Sequence, residues 1–166
     1  MDAQDLLSGV QAMIDAGIAD KNRLGVMGIS YGGYMAAWLP TLSPIFRAAV
    51  PISPITNWCS YHNTSNIGRQ DEPSFRQSPH EPGNLYYHRS LVMFAGNNET
   101  PTMQVVGAKD RCVHPSQSLE YHRALIAKGT ESALLVYPEE GHGIRQFPAY
   151  IDFSARVLDL FNLHLR

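Results

Sequence analysis

The run Leu24-Gly25-Val26-Met27-Gly28-Ile29-Ser30-Tyr31-Gly32-Gly33-Tyr34-Met35 passes from a short, mainly apolar segment straight into a glycine-flanked serine. Leu24 to Ile29 has the length of a buried strand. Ser30-Tyr31-Gly32-Gly33 suits a tight turn into a helix, predicted from about Gly33 to Leu39 and broken at Pro40. Within the run, Gly28-Ile29-Ser30-Tyr31-Gly32 is a G-x-S-x-G string. Composition alone produces one in roughly one such chain in twelve, so its position matters more than its pattern. Where a buried strand turns into a helix, a serine is forced onto a sharp elbow with its hydroxyl exposed, and glycines two residues to either side avoid collisions. The plainer alternative is a glycine-rich turn with a capping serine.

Phe46 to Ile52, Met103 to Gly107 and Ala133 to Tyr137 are three further short apolar runs. All are too unbroken for strands with one wet face, which predicts parallel strands covered on both sides. From Asp5 to Ile18 an apolar stripe of Leu6, Leu7, Val10, Met13 and Ile14 predicts an amphipathic helix stopped at Gly17. His114-Pro115-Ser116 opens another, closed by Gly129, and a last helix is expected from near Pro148 to Leu165. Strands alternating with helices imply right-handed crossovers and a parallel α/β sheet of about four strands. Thr56 to Thr100 interrupts this order with aromatic residues, prolines and many Asn and Ser. It reads as a long excursion with short helices at most, leaving the carboxyl end of the second strand, where such sheets bind ligands.

The chain has 166 residues, 44% hydrophobic and 17% charged, which suits one domain with an ample core. Thirteen Lys and Arg against 15 Asp and Glu leave a formal net charge of -2 and no basic stripe, so nucleic acid is not an expected partner. No apolar run approaches a membrane span, and Asp2, Gln4 and Asp5 do not form a basic and then apolar leader. A cytoplasmic protein with no membrane partner is expected. Cys59 and Cys112 stand in no metal-type spacing and cannot build a disulfide scaffold, in keeping with a reducing compartment.

A serine hydroxyl is a poor nucleophile at neutral pH and needs a histidine base and an acid that orients it. On a sheet of this kind the three groups follow successive strands in the order Ser, Asp, His. Asp110 in Gly107-Ala108-Lys109-Asp110 lies just past the third strand, and His142 in Gly141-His142-Gly143 just past the fourth. An Asp at such a place is also a common turn or cap residue. His142 is one of seven histidines, and surface-loop placement is its plainer alternative. The other six lie within helices, beside Pro115 or in the excursion, and none forms a metal-ligand spacing, so neither metal nor cofactor is expected.

Taken together, Gly28-Ile29-Ser30-Tyr31-Gly32-Gly33-Tyr34-Met35, Ser78-Pro79, Gly107-Ala108-Lys109-Asp110-Arg111-Cys112-Val113 with Gln117-Ser118, and Tyr137-Pro138 with Gly141-His142-Gly143 resemble the catalytic domain of the prolyl oligopeptidase family of serine peptidases. The flavour is that of its acylaminoacyl-peptidase and dipeptidyl-peptidase-like members, over nearly the whole chain. The resemblance implies an α/β-hydrolase fold with Ser30 as nucleophile, Asp110 as acid, His142 as base and the Tyr31 backbone N–H as an oxyanion donor. A peptide is then the expected substrate. Trp58 and Tyr61 are candidates to line a side-chain pocket, although packing the excursion onto the sheet is their commoner role.

Two departures qualify the resemblance. Many members carry Arg two residues after the acid, where this chain has Cys112 with Arg111 beside it, which leaves Arg111 as the candidate substrate anchor. The family domain also opens with strands and a glycine-rich loop that gives a second oxyanion donor, and a β-propeller precedes it. Residues 1–166 therefore read as a partial catalytic domain with a truncated sheet. A missing donor costs about 2.7–4 kcal/mol of transition-state stabilisation. An open edge at Leu24 to Ile29 is a site for self-association, so a weak or inactive association module is the alternative from another class. A carboxylesterase is the alternative within the enzyme class, because a triad does not choose between ester and amide.

Overall fold

A computed structural model describes residues 2–166 and gives the order α1 (Asp2–Asp15), β1 (Leu24–Ile29), α2 (Tyr31–Leu42), β2 (Phe46–Ile52), α3 (Trp58–Thr64), α4 (Glu72–Phe75), α5 (Leu85–Arg89), a 3-10 helix (Leu91–Asn97), β3 (Thr102–Gly107), α6 (Ser116–Ala127), β4 (Ser132–Tyr137) and α7 (Ala149–His164). The strands form one parallel sheet in the order β1-β2-β3-β4, with Val26 opposite Ala49 and Val105 opposite Leu135. This is the α/β architecture the alternating pattern predicts, and two strands match the sequence limits to the residue. Among the described residues no helix is long and apolar enough to cross a membrane.

Helices α1, α2 and α6 and the excursion cover one face, around Tyr34, Trp38, Trp58, Tyr86, Tyr121 and Leu125. Helix α7 covers the other, where Val157 joins Val50, Ile52, Met103 and Val105. Strands β2 and β3 are therefore buried on both sides. Strands β1 and β4 are not: Met27 is 50%, Ile29 45% and Val136 48% exposed, contrary to the expectation of strands covered on both sides. Both are edge strands of the sheet, and α7 packs on β1 at its start, where Phe161 stands so close that a Cβ on Gly25 would lie 2.7 Å from its ring.

Helix α2 also departs from expectation, running through Pro40 to Leu42. A proline in the last turn removes one N–H bond but keeps a helical φ. Here Thr41 Oγ1 donates to the Trp38 carbonyl at 2.7 Å and the Ser43 N–H to that of Leu39 at 3.0 Å, and these close the turn.

The excursion holds the short helices α3, α4 and α5 and is tied at its root by Gln117 of α6. The buried Gln117 Oε1 accepts from the Thr56 and Asn57 N–H groups, both at 2.8 Å, while its Nε2 donates to Ser60 Oγ at 2.7 Å. A buried amide with all its partners fixes a loop whose own backbone has no ladder to join.

Candidate active site

Hydrogen bonds continue past the carboxyl ends of the strands and align three loops on one edge of the sheet. The Ser30 N–H donates to the Ile52 carbonyl (2.9 Å), Ser53 N–H to Val105 (2.8 Å) and Ala108 N–H to Tyr137 (2.9 Å). Ser30, Asp110 and His142 follow β1, β3 and β4 on this edge.

Ser30 sits at φ 59°, ψ -118°, a left-handed conformation rare for a residue with a Cβ. Close packing around it holds the elbow. A Cβ on Gly28 would stand 2.4 Å from the Gly32 carbonyl oxygen, and one on Gly33 would stand 2.4 Å from that of Ile52. Gly32, which the motif makes the second required glycine, faces open space, so on the helix side the crowded position is Gly33. Ser30 does not cap α2 with its side chain, which sets aside the capping role.

The Asp110 carboxylate is buried. Its Oδ1 accepts from the Cys112 and Val113 N–H groups, both at 2.9 Å, and its Oδ2 lies 2.8 Å from His142 Nδ1. Asp110 is thus both the turn residue of the plainer reading and the partner of His142. Burial pushes its pKa up, but hydrogen bonds from His142 and Val113 outweigh this and hold it below the ordinary carboxylate range. His142 lies in a loop bent at Gly143 (φ 107°), and a Cβ on Gly143 would come 3.1 Å from Ile29 Cδ1, beside the serine elbow. No hydrogen bond joins Ser30 to His142 among the described residues, and such contacts often tighten only around substrate.

The Asp110 and His142 loops touch through backbone. The Lys109 N–H donates to the Glu140 carbonyl at 2.9 Å, and a Cβ on Gly107 would lie 2.3 Å from the carbonyl oxygens of both Glu140 and Gly141. Gly107→Ala is therefore expected to destabilise the protein by about 1–3 kcal/mol through overpacking. A denaturant midpoint equal to that of the parent would show that the loops part freely.

A cavity of about 500 Å³ opens beside Ser30, lined by Tyr31, Tyr34, Trp58, Tyr61 and Phe75 among others. Trp58 and Tyr61 are at once cavity wall and core, 7% and 6% exposed. Arg111 is exposed and does not line the cavity; the arginine that does is the half-buried Arg89, at the end of α5. At its rim the Tyr31 hydroxyl donates to the Asp2 carboxylate, and burial together with that carboxylate raises the phenol pKa so that it stays a donor.

A second His–Asp pair, His62 Nδ1 to Asp71 Oδ2 at 3.0 Å, belongs to the excursion and follows no strand. Neither Arg89 nor this pair has a local signature, since each depends on how the excursion folds back. Cys112, at the departure from the family pattern, is half-buried, and burial and the Asp110 charge raise its thiol pKa, which leaves it a poor nucleophile. Among the described residues no group of three or more His, Cys, Asp or Glu is placed to hold a metal.

A parallel sheet with a strand-serine-helix elbow, and with a histidine paired to a buried aspartate on later loops of the same edge, is the arrangement of the α/β hydrolases. Within that class, the chain belongs to the prolyl oligopeptidase family, whose model matches residues 1–166. It is 33% identical over 126 residues, 75% of this chain and 19% of the relative, to the uncharacterized peptidase YuxL of Bacillus subtilis. It is 31% identical over 150 residues, 85% of this chain and 20% of the relative, to an acylamino-acid-releasing enzyme of Arabidopsis thaliana. The Pyrococcus horikoshii acylaminoacyl peptidase structure superposes with a TM-score of 0.93 at 30% identity, covering 99% of this chain and 28% of that one. The chain thus spans about a fifth of the length of the curated relatives it matches.

Proposed function

We propose that this chain carries the reacting centre of a serine peptidase that cleaves peptide bonds through an acyl-enzyme. Ser30 Oγ attacks the scissile carbonyl carbon while His142 Nε2 takes its proton, and Asp110 holds the Nδ1 proton and steadies the imidazolium. The Tyr31 backbone N–H, at the start of α2, faces the oxygen that becomes negative. His142 then returns the proton to the departing amine, and water releases the acyl group by the same steps. The observation that carries this reading is the 2.8 Å contact between His142 Nδ1 and a buried Asp110 carboxylate whose other oxygen is held by two backbone amides. A fluorophosphonate, which bonds to an activated serine oxygen, is expected to label Ser30 and to leave Ser30→Ala untouched. Absence of label on the folded chain, or label that survives Ser30→Ala, would sink the assignment.

A further inference from the structure

We infer that Glu140 is a positioning residue for His142, an inference that rests on the triad reading above. Glu140 is 2% exposed, an unusual burial for a carboxylate with no cation bonded to it among the described residues. Its partners are backbone amides from beyond the histidine. Oε1 accepts from the Gln146 N–H at 2.8 Å and Oε2 from the Arg145 N–H at 3.2 Å. The side chain thereby closes a loop from residue 140 to residue 146 with His142 inside it.

The same residue's carbonyl accepts from the Lys109 N–H, next to Asp110, at 2.9 Å. Glu140 therefore holds both sides of the contact between Asp110 and His142: its backbone fixes the acid's loop, and its carboxylate fixes the base's loop. Without the carboxylate, the segment after His142 loses both of its ties to residue 140, and what remains to shape the turn is the narrow bridge between Gly141 and Gly143 and the contact of His142 with Asp110.

Glu140→Gln tests the carboxylate with little change of shape. A glutamine accepts through one oxygen, so one of the two amides faces an N–H₂ group instead. A displacement of the base by about 1 Å lowers a rate by up to about 100-fold. The measurement is the saturation kinetics of fluorophosphonate labelling in the parent, Glu140→Gln, His142→Ala and the double variant, with folding followed by circular dichroism. The expected result is a maximal labelling rate lowered about 10- to 100-fold in Glu140→Gln with the half-saturating concentration unchanged, and no further loss when the substitution is added to His142→Ala. A general structural role would instead lower the rate in both backgrounds. Hydrogen exchange adds a readout that needs no reaction: the Arg145 and Gln146 amides are protected in the parent and lose protection in Glu140→Gln, while β2 and β3 stay protected.

Labelling that depends on Ser30 and His142 yet proceeds at the parent rate in Glu140→Gln overturns the role of Glu140 alone. Equal exchange at Arg145 and Gln146 in the two proteins overturns it as well. A parent that takes no label, keeps it in Ser30→Ala, or labels as fast in His142→Ala as in the parent removes the triad reading and this inference with it.

Discussion

Asp110→Asn is expected to lower the rate of Ser30 acylation by about 10,000-fold while leaving the protein folded. The size of the effect follows from which atoms the asparagine must present. Two backbone N–H groups, of Cys112 and Val113, point at Oδ1. An amide nitrogen there would set donor against donor, so the asparagine oxygen stays at that position. Its N–H₂ group then faces His142 Nδ1 in place of Oδ2 and donates to it. The imidazole proton is driven to Nε2, the nitrogen that has to receive the serine proton, and the base is blocked with no change of shape. Initial rates of fluorophosphonate labelling give the ratio directly. A rate within tenfold of the parent would mean that the pairing of Asp110 with His142 does not serve the serine.

The same substitution has a signature in stability. The Asp110 pKa is lowered in the folded protein, so its contribution is fully present above the unfolded value of about 4 and is lost as pH falls through the lower folded value. The parent's denaturation midpoint is expected to fall more steeply below about pH 4 than that of Asp110→Asn, which has no proton to gain.

The contrast between Asp110 and Glu140 shows what was legible in the sequence. Asp110 and His142 stand immediately after apolar runs, and in a parallel sheet the end of a strand is a position in space that the sequence itself marks. Glu140 is also next to a strand, but its partners are backbone amides of Arg145 and Gln146, and a backbone donor has no letter of its own. The Gly33 crowding against Ile52 was hidden for a related reason, since it depends on how closely β2 pairs beside β1. Pro40 reads as a helix stop in the sequence, whereas the Thr41 hydroxyl and the Ser43 N–H complete the turn from the far side. In the excursion the sequence showed aromatic content but not its arrangement: His62 meets Asp71, and Tyr86 stacks on Phe75 at 4.3 Å, only after three short helices have folded back on one another.

That arrangement gives the second large expected effect, a loss of about 3–5 kcal/mol in Trp58→Ala, the range for removing a large aromatic side chain from a packed core. Trp58 joins two parts of the molecule. On one side its ring lies 5.4 Å from Tyr34 and 6.5 Å from Tyr31, both on the helix that starts at the Ser30 elbow. On the other it meets Tyr61 at 5.4 Å and Phe75 at 5.1 Å, both in the excursion. The Trp58 backbone N–H donates to Ser90 Oγ at 2.9 Å, and that hydroxyl donates in turn to the Tyr86 carbonyl at 2.6 Å. An alanine keeps the backbone bond but empties the centre of the ring cluster, and the void opens into the cavity beside Ser30, so water can enter it. Trp58→Phe keeps most of the ring contacts and is expected to fall between the parent and alanine. Urea unfolding of the three proteins measures the series. If Trp58→Ala unfolds within about 0.5 kcal/mol of the parent, the ring is cavity lining rather than core. The excursion would then be held by its hydrogen bonds, from Gln117 and from the Asn66 N–H to the Arg111 carbonyl, and by its other core side chains.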